Sequence, residues 1–92
     1  MASPAHTLHD GPLKVTIWRN TNRDKGTTWY SVNITRGYRQ EETWKDTDSL
    51  GQDDILATME LLREAYAWIK MQRRSEAKAR REKEKQEQAA YA

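Results

Sequence analysis

Leu13, Val15 and Ile17 alternate with Lys14, Thr16 and Trp18, while Tyr30, Val32 and Ile34 alternate with Trp29, Ser31, Asn33 and Thr35. A two-residue apolar period sends one set of side chains to each side of an extended strand. Between the two segments, Thr21–Gly26 is polar and turn-rich, and Gly26 can take positive φ. The pattern predicts an antiparallel hairpin with one apolar and one polar face. Setting Ile17 opposite Tyr30 matches Val15 to Val32 and Leu13 to Ile34. The same register sets Trp18 beside Trp29, Thr16 beside Ser31 and Lys14 beside Asn33. A slip of one residue would mix the two faces.

A second turn is expected around Gly37–Glu41, followed by a weaker strand over Glu42–Leu50. Placing Ile34 opposite Trp44 turns Asp46 and Asp48 toward the apolar side. Unpaired carboxylates are costly in a core, so this strand is read as an edge that leaves the sheet early. Met1–Pro12 holds two prolines, a glycine and no period; it is read as a flexible arm with a short edge strand near Thr7–His9.

The period then changes. Gly51 is placed as an N-cap, Leu50 and Ile55 as a staple, and Asp53 and Asp54 suit the positive end of a helix. Ile55, Met59, Leu62, Tyr66 and Ile69 recur at spacings of four and three, which predicts a helix whose stripe packs on the hairpin. Leu61 and Trp68 lie off that stripe and are assigned to a helix-mediated homodimer. From Gln72 onward the residues favour helix but carry no apolar seam, so 72–92 reads as a charged helical extension or a disordered tail. The expected fold is α+β: a three- or four-stranded antiparallel β-meander with one long C-terminal helix packed on its apolar face, in a domain over 13–71.

Ninety-two residues allow one small domain. No apolar run reaches the roughly 18–20 residues of a membrane span, so no membrane partner is expected. The first six residues lack the basic-then-apolar pattern of a secretory signal. There is no cysteine, hence no disulfide framework and no thiolate nucleophile. A cytoplasmic setting, with nucleoid association, is compatible with both features.

The net charge of +2 conceals three blocks. Between Gly11 and Arg39, six cations stand against Asp24 alone, a net +5. From Gln40 to Ile69, two cations stand against eight anions, a net −6. From Lys70 onward, eight cations stand against four glutamates, a net +4. Such segregation says more about partners than the total does.

The polar hairpin face is the candidate site. It gathers Lys14, Trp18, Trp29, Ser31 and Asn33, with Arg19, Arg36, Tyr38 and Arg39 near its ends and Lys45 on the third strand. Flat rings interleaved with cations suit a single-stranded nucleic acid, because bases stack on rings while phosphates meet positive charge. Trp18 and Trp29 are assigned to stacking. Lys14, Arg19, Arg36, Arg39 and Lys45 are assigned to phosphates, and Ser31 and Asn33 to hydrogen bonds. The alternatives are a tryptophan pair that only stabilises the sheet, or a face that receives another polypeptide. In the basic tail, four glutamates dilute eight cations; it is read as a solvated surface, the alternative being a stretch that adds polyanion affinity without forming a specific site.

Asp46–Gly51 fails as a calcium loop, since Leu50 stands where an oxygen ligand is needed and Ala57 where the bidentate glutamate belongs. His6 and His9 lie in the arm, so no metal is assigned to them. With no cysteine, no glycine-rich phosphate loop and no histidine on a regular element, neither an enzyme, a cofactor nor a small-molecule substrate is expected.

Strands ending in one amphipathic helix, with cations and rings on the open sheet face and Trp44–Leu50 leading into the helix, resemble the positive-cofactor/Whirly-like single-stranded-DNA-binding family. The resemblance covers Leu13–Ile69. It implies a curved four-stranded antiparallel sheet followed by a helix, bases lying across the sheet, homodimers, and a regulatory role in transcription. A fourth strand would then come from Met1–Pro12 or from a partner chain.

Overall fold

Strands β1 (His6–Asp10), β2 (Leu13–Asn22), β3 (Thr27–Gln40) and β4 (Thr43–Thr47) form one antiparallel sheet in sequential order. A 3₁₀ turn over Gln52–Asp54 leads into helix α1 (Ile55–Ala90), completing an α+β fold. The computed structural model describes residues 3–90. The fourth strand comes from the N-terminal arm, which pairs along β2 from His6 opposite Ile17 to Asp10 opposite Leu13.

Each reversal has a local cause. Gly11 and Pro12 join β1 to β2 in a two-residue turn with Gly11 at φ +57°, the conformation that position of a tight hairpin requires. Asn22 closes the β2–β3 loop, its Oδ1 accepting the N–H groups of Asp24 (3.1 Å) and Lys25 (3.3 Å). Glu41 and Glu42 join β3 to β4, with Glu41 at φ +58°.

The Asn22 turn corrects the hairpin register. Val15 faces Ile34, Ile17 faces Val32 and Trp18 faces Ser31, with Trp29 opposite Asn20. The reversal point sits one residue later than the alternation alone suggested, so every pairing moves by two. An even shift preserves the faces but separates the tryptophans from direct opposition. The next register changes more. β3 runs straight through Gly37, whose N–H donates to the Pro12 carbonyl (2.8 Å), and turns only at Glu41. Trp44 therefore faces Arg39 instead of Ile34.

Because β4 pairs only with Arg36–Gln40, the stretch Thr27–Thr35 is an open edge on the side away from β2. The Gly37–Pro12 bond sets the phase. Odd-numbered residues of β3 bond toward β2, so the backbone groups of Thr28, Tyr30, Val32 and Ile34 point outward from that edge.

The core lies between α1 and the first two strands. Leu13, Val15 and Ile17 are buried against Leu61 and Ala65, with Leu8, Tyr30, Ile34, Leu50, Trp68 and Ile69 around them. Burying each large aliphatic side chain contributes about 1.5–3 kcal/mol.

The helix presents a different face from the expected stripe. Thr58, Leu61, Ala65 and Trp68 meet the sheet, whereas Ile55, Met59, Leu62 and Tyr66 stand exposed. Leu61 and Trp68, assigned to a homodimer, face the sheet instead: Leu61 is buried in the core and Trp68 packs half-buried against it. Two physical causes set this rotation. Ala65 allows close approach to the strands. Polar and aromatic clamps also fall on this face: Asp54 pairs with Arg36, Trp68 stacks on His6 (4.8 Å between centroids) and meets Tyr30 edge-on (6.1 Å), and Glu76 reaches β2 and β3. Beyond Glu76 the helix continues to Ala90 with little further contact to the sheet.

Candidate nucleic-acid interface

The register assigns the side of the sheet opposite α1. Lys14, Thr16, Trp18 and Asn20 from β2 lie beside Thr35, Asn33, Ser31 and Trp29 from β3, and Arg39 and Trp44 extend the same face. Among the described residues no helix packs on this side, although Thr16 within it is buried. Trp29 is 51% exposed, Trp44 71%, and Trp18 is half-buried. Asn20 Nδ2–H donates to Ser31 Oγ (3.1 Å), which fixes two polar groups between Trp18 and Trp29.

Of the residues assigned from sequence, Lys14, Trp18, Trp29, Ser31, Asn33 and Arg39 share this outer face. Arg19, Arg36, Tyr38 and Lys45 fall on the helix side by the same alternation, which separates them from the tryptophans.

Arg19 is committed to the helix. Its Nε–H donates to Glu76 Oε1 (2.9 Å), and the Tyr30 hydroxyl donates to the same oxygen (2.8 Å). That bond to Glu76 raises Arg19 above its already high value. Burial, then the bond to Glu76, raises Tyr30. Burial alone would raise Glu76. The hydrogen bonds from Arg19 and Tyr30, with the Arg19 charge, outweigh it and hold the carboxyl below its ordinary value.

Arg36 Nε lies 2.9 Å from Asp54 Oδ2, but its N–H is not directed at that oxygen. The contact is an ion pair without an aligned hydrogen bond. The same Asp54 oxygen accepts the Gly51 N–H (2.9 Å), which anchors the start of the helix.

Two groups of residues escaped the sequence reading. Trp44 joins the outer face only once the turn is known to be Glu41–Glu42, which sets it against Arg39. Lys70, Arg73, Arg74 and Arg80 line a cleft of about 770 Å³ between α1 and the end of the β2–β3 hairpin. Lys70 lies three and four residues before Arg73 and Arg74, and Arg80 seven after Arg73, a helical spacing that was visible in the sequence. The hairpin wall opposite them was not.

Among the described residues, no group of three histidines or carboxylates could hold a metal ion, and no helix is long and apolar enough to cross a membrane. Compared with protein-family models, curated proteins and solved structures, the chain matches none.

Proposed function

We propose that this protein binds single-stranded nucleic acid, DNA in the first instance, across the outer face of its sheet and without chemical reaction. One observation carries this function: Trp18, Trp29 and Trp44 share the uncovered face with Lys14, Arg39, Ser31 and Asn33. The rings offer stacking surfaces; for phosphates, Lys14 lies between the Trp18–Trp29 end of the face and the end where Arg39 stands beside Trp44. Such a division suits binding that tolerates many sequences. A layout of four strands and then a helix also accords with the positive-cofactor/Whirly-like resemblance, from which a regulatory role at single-stranded DNA would follow.

Tryptophan fluorescence during titration with a single-stranded oligonucleotide tests the proposal. Stacking is worth about 1–3 kcal/mol per base, so Trp29→Ala with Trp44→Ala should weaken binding at least roughly tenfold. Affinity should also fall as salt rises. Unchanged affinity in the double variant removes the stacking role.

The exposed helix stripe favours a second reading, a homodimer. Ile55, Met59 and Leu62 lie outside the core of a small fold that buries few large side chains. Two copies related by a two-fold axis can match such a stripe to itself and leave both outer faces free. Light scattering should then show a dimer that Leu62→Glu converts to monomer; a monomeric wild type rules this out.

A further inference from the structure

The outer face holds more rings than cations, whereas the cleft beside it has the reverse composition. Arg19, Lys70, Arg73, Arg74 and Arg80 line that cleft with Glu76 as the single carboxylate. Glu76 is already engaged by Arg19 and Tyr30. Among the described residues, Lys70, Arg73, Arg74 and Arg80 have no carboxylate partner within salt-bridge distance.

These four cations occupy about 15 Å of helix axis, and Lys70 lies three and four residues before Arg73 and Arg74, where like charges repel. A bound polyanion relieves that repulsion. Three of the four are arginines, whose planar forks match phosphate oxygens.

The cleft adjoins the aromatic face. Arg73 also lines a smaller recess with Thr28, Trp29, Tyr30 and Ile69, so it touches the neighbourhood of an outer-face ring. The strand that separates the two surfaces is the open edge Thr27–Thr35, where no paired strand blocks the way. The outward N–H groups of Thr28 and Tyr30 lie along this route.

We infer that the cleft holds the phosphodiester backbone of the strand whose bases stack on the outer face. The strand turns round the β3 edge at Trp29, and Arg73, Arg74, Arg80 and Lys70 receive its phosphates. This path rests on the nucleic-acid function proposed above. It makes the basic half of α1 a built part of the interface and not a diffuse charged tail.

The test compares three variants of the full chain against an oligonucleotide of about 16 nucleotides. The first is Arg73→Gln/Arg74→Gln/Arg80→Gln. The second is Lys78→Gln/Arg81→Gln/Lys83→Gln, which removes equal charge from helix positions outside the cleft. The third is Trp18→Ala/Trp29→Ala/Trp44→Ala. Circular dichroism confirms that each remains folded.

Each phosphate contact on a single strand adds about 0.7 to the slope of log affinity against log salt. Losing the three cleft arginines should therefore flatten that slope by about 2, with the control triple changing it by less than half as much. The tryptophan triple should lower affinity and keep the slope. Equal flattening by the cleft and control triples overturns the path and leaves outer-face binding standing. Absence of oligonucleotide binding by the wild type overturns both. Binding of poly-glutamate instead, abolished by the cleft triple, assigns the cleft to an acidic polypeptide and overturns the nucleic-acid path.

Discussion

The two sides of the sheet share the same strands yet carry opposite chemistry. On the helix side, Val15 and Ile17 are fully buried, and two arginines there pair with carboxylates: Arg19 with Glu76, Arg36 with Asp54. On the other side, Trp29 and Trp44 lie open and the cations have no carboxylate partner among the described residues. Large rings left in water do little for stability, whereas aliphatic side chains under the helix provide much of it. If the outer face binds as proposed, stability and binding should be separable. One side should then tolerate change without disturbing the other.

The largest effect that could break this division comes from Ile17→Ala. Removing a fully buried isoleucine should cost about 2–5 kcal/mol, a large share of the total for a domain of this size. Trp44→Ala, on the outer face, should cost less than about 1 kcal/mol, since little beyond its cross-strand contact with Arg39 is lost. Urea unfolding of both variants measures the contrast. Comparable losses would mean that the outer tryptophans belong to the structural core, and the division would collapse.

A smaller effect should sharpen the account of the helix side. Glu76 titrates below its ordinary value, so its clamp is fully present above about pH 4.5. The contribution is lost as pH falls through the lower folded value. Wild type should therefore lose more thermal stability on acidification than Glu76→Gln, which keeps an acceptor for Arg19 and Tyr30 but cannot titrate. Parallel losses would show that the clamp does not hold α1 in place.

Much of the division was legible in the sequence. Alternation at Leu13–Ile17 and Tyr30–Ile34 sorted the inner from the outer residues correctly, because a register shift of two preserves faces. Three things were not legible, each because it depends on contacts between distant segments. Trp44 required the exact turn at Glu41. The face of α1 could not be chosen from hydrophobicity, since the more apolar stripe lost to one that carries Ala65, Trp68 and the Asp54 and Glu76 clamps. The cleft lined by Lys70, Arg73, Arg74 and Arg80 exists only because the β2–β3 hairpin supplies a second wall.

The smallest effect should show most cleanly whether binding follows side chains or sheet integrity. Glu41 holds φ at +58°, a left-handed conformation that costs an ordinary L-residue about 1–2 kcal/mol. Glycine adopts it freely but loses more chain entropy on folding, roughly 0.5–1 kcal/mol. Glu41→Gly should thus stabilise the protein by about 0.5–1 kcal/mol in urea unfolding. Glu41→Gln removes the same charge while keeping the backbone strain, so it should leave stability nearly unchanged. The turn lies next to Arg39 and Trp44, where loss of a negative charge slightly favours a polyanion. If the outer face acts through its side chains alone, the two variants will share one oligonucleotide affinity despite their different stabilities. An affinity that instead tracks stability, higher in Glu41→Gly than in Glu41→Gln, would tie binding to the rigidity of the β3–β4 hairpin, and the two sides of the sheet would no longer be independent.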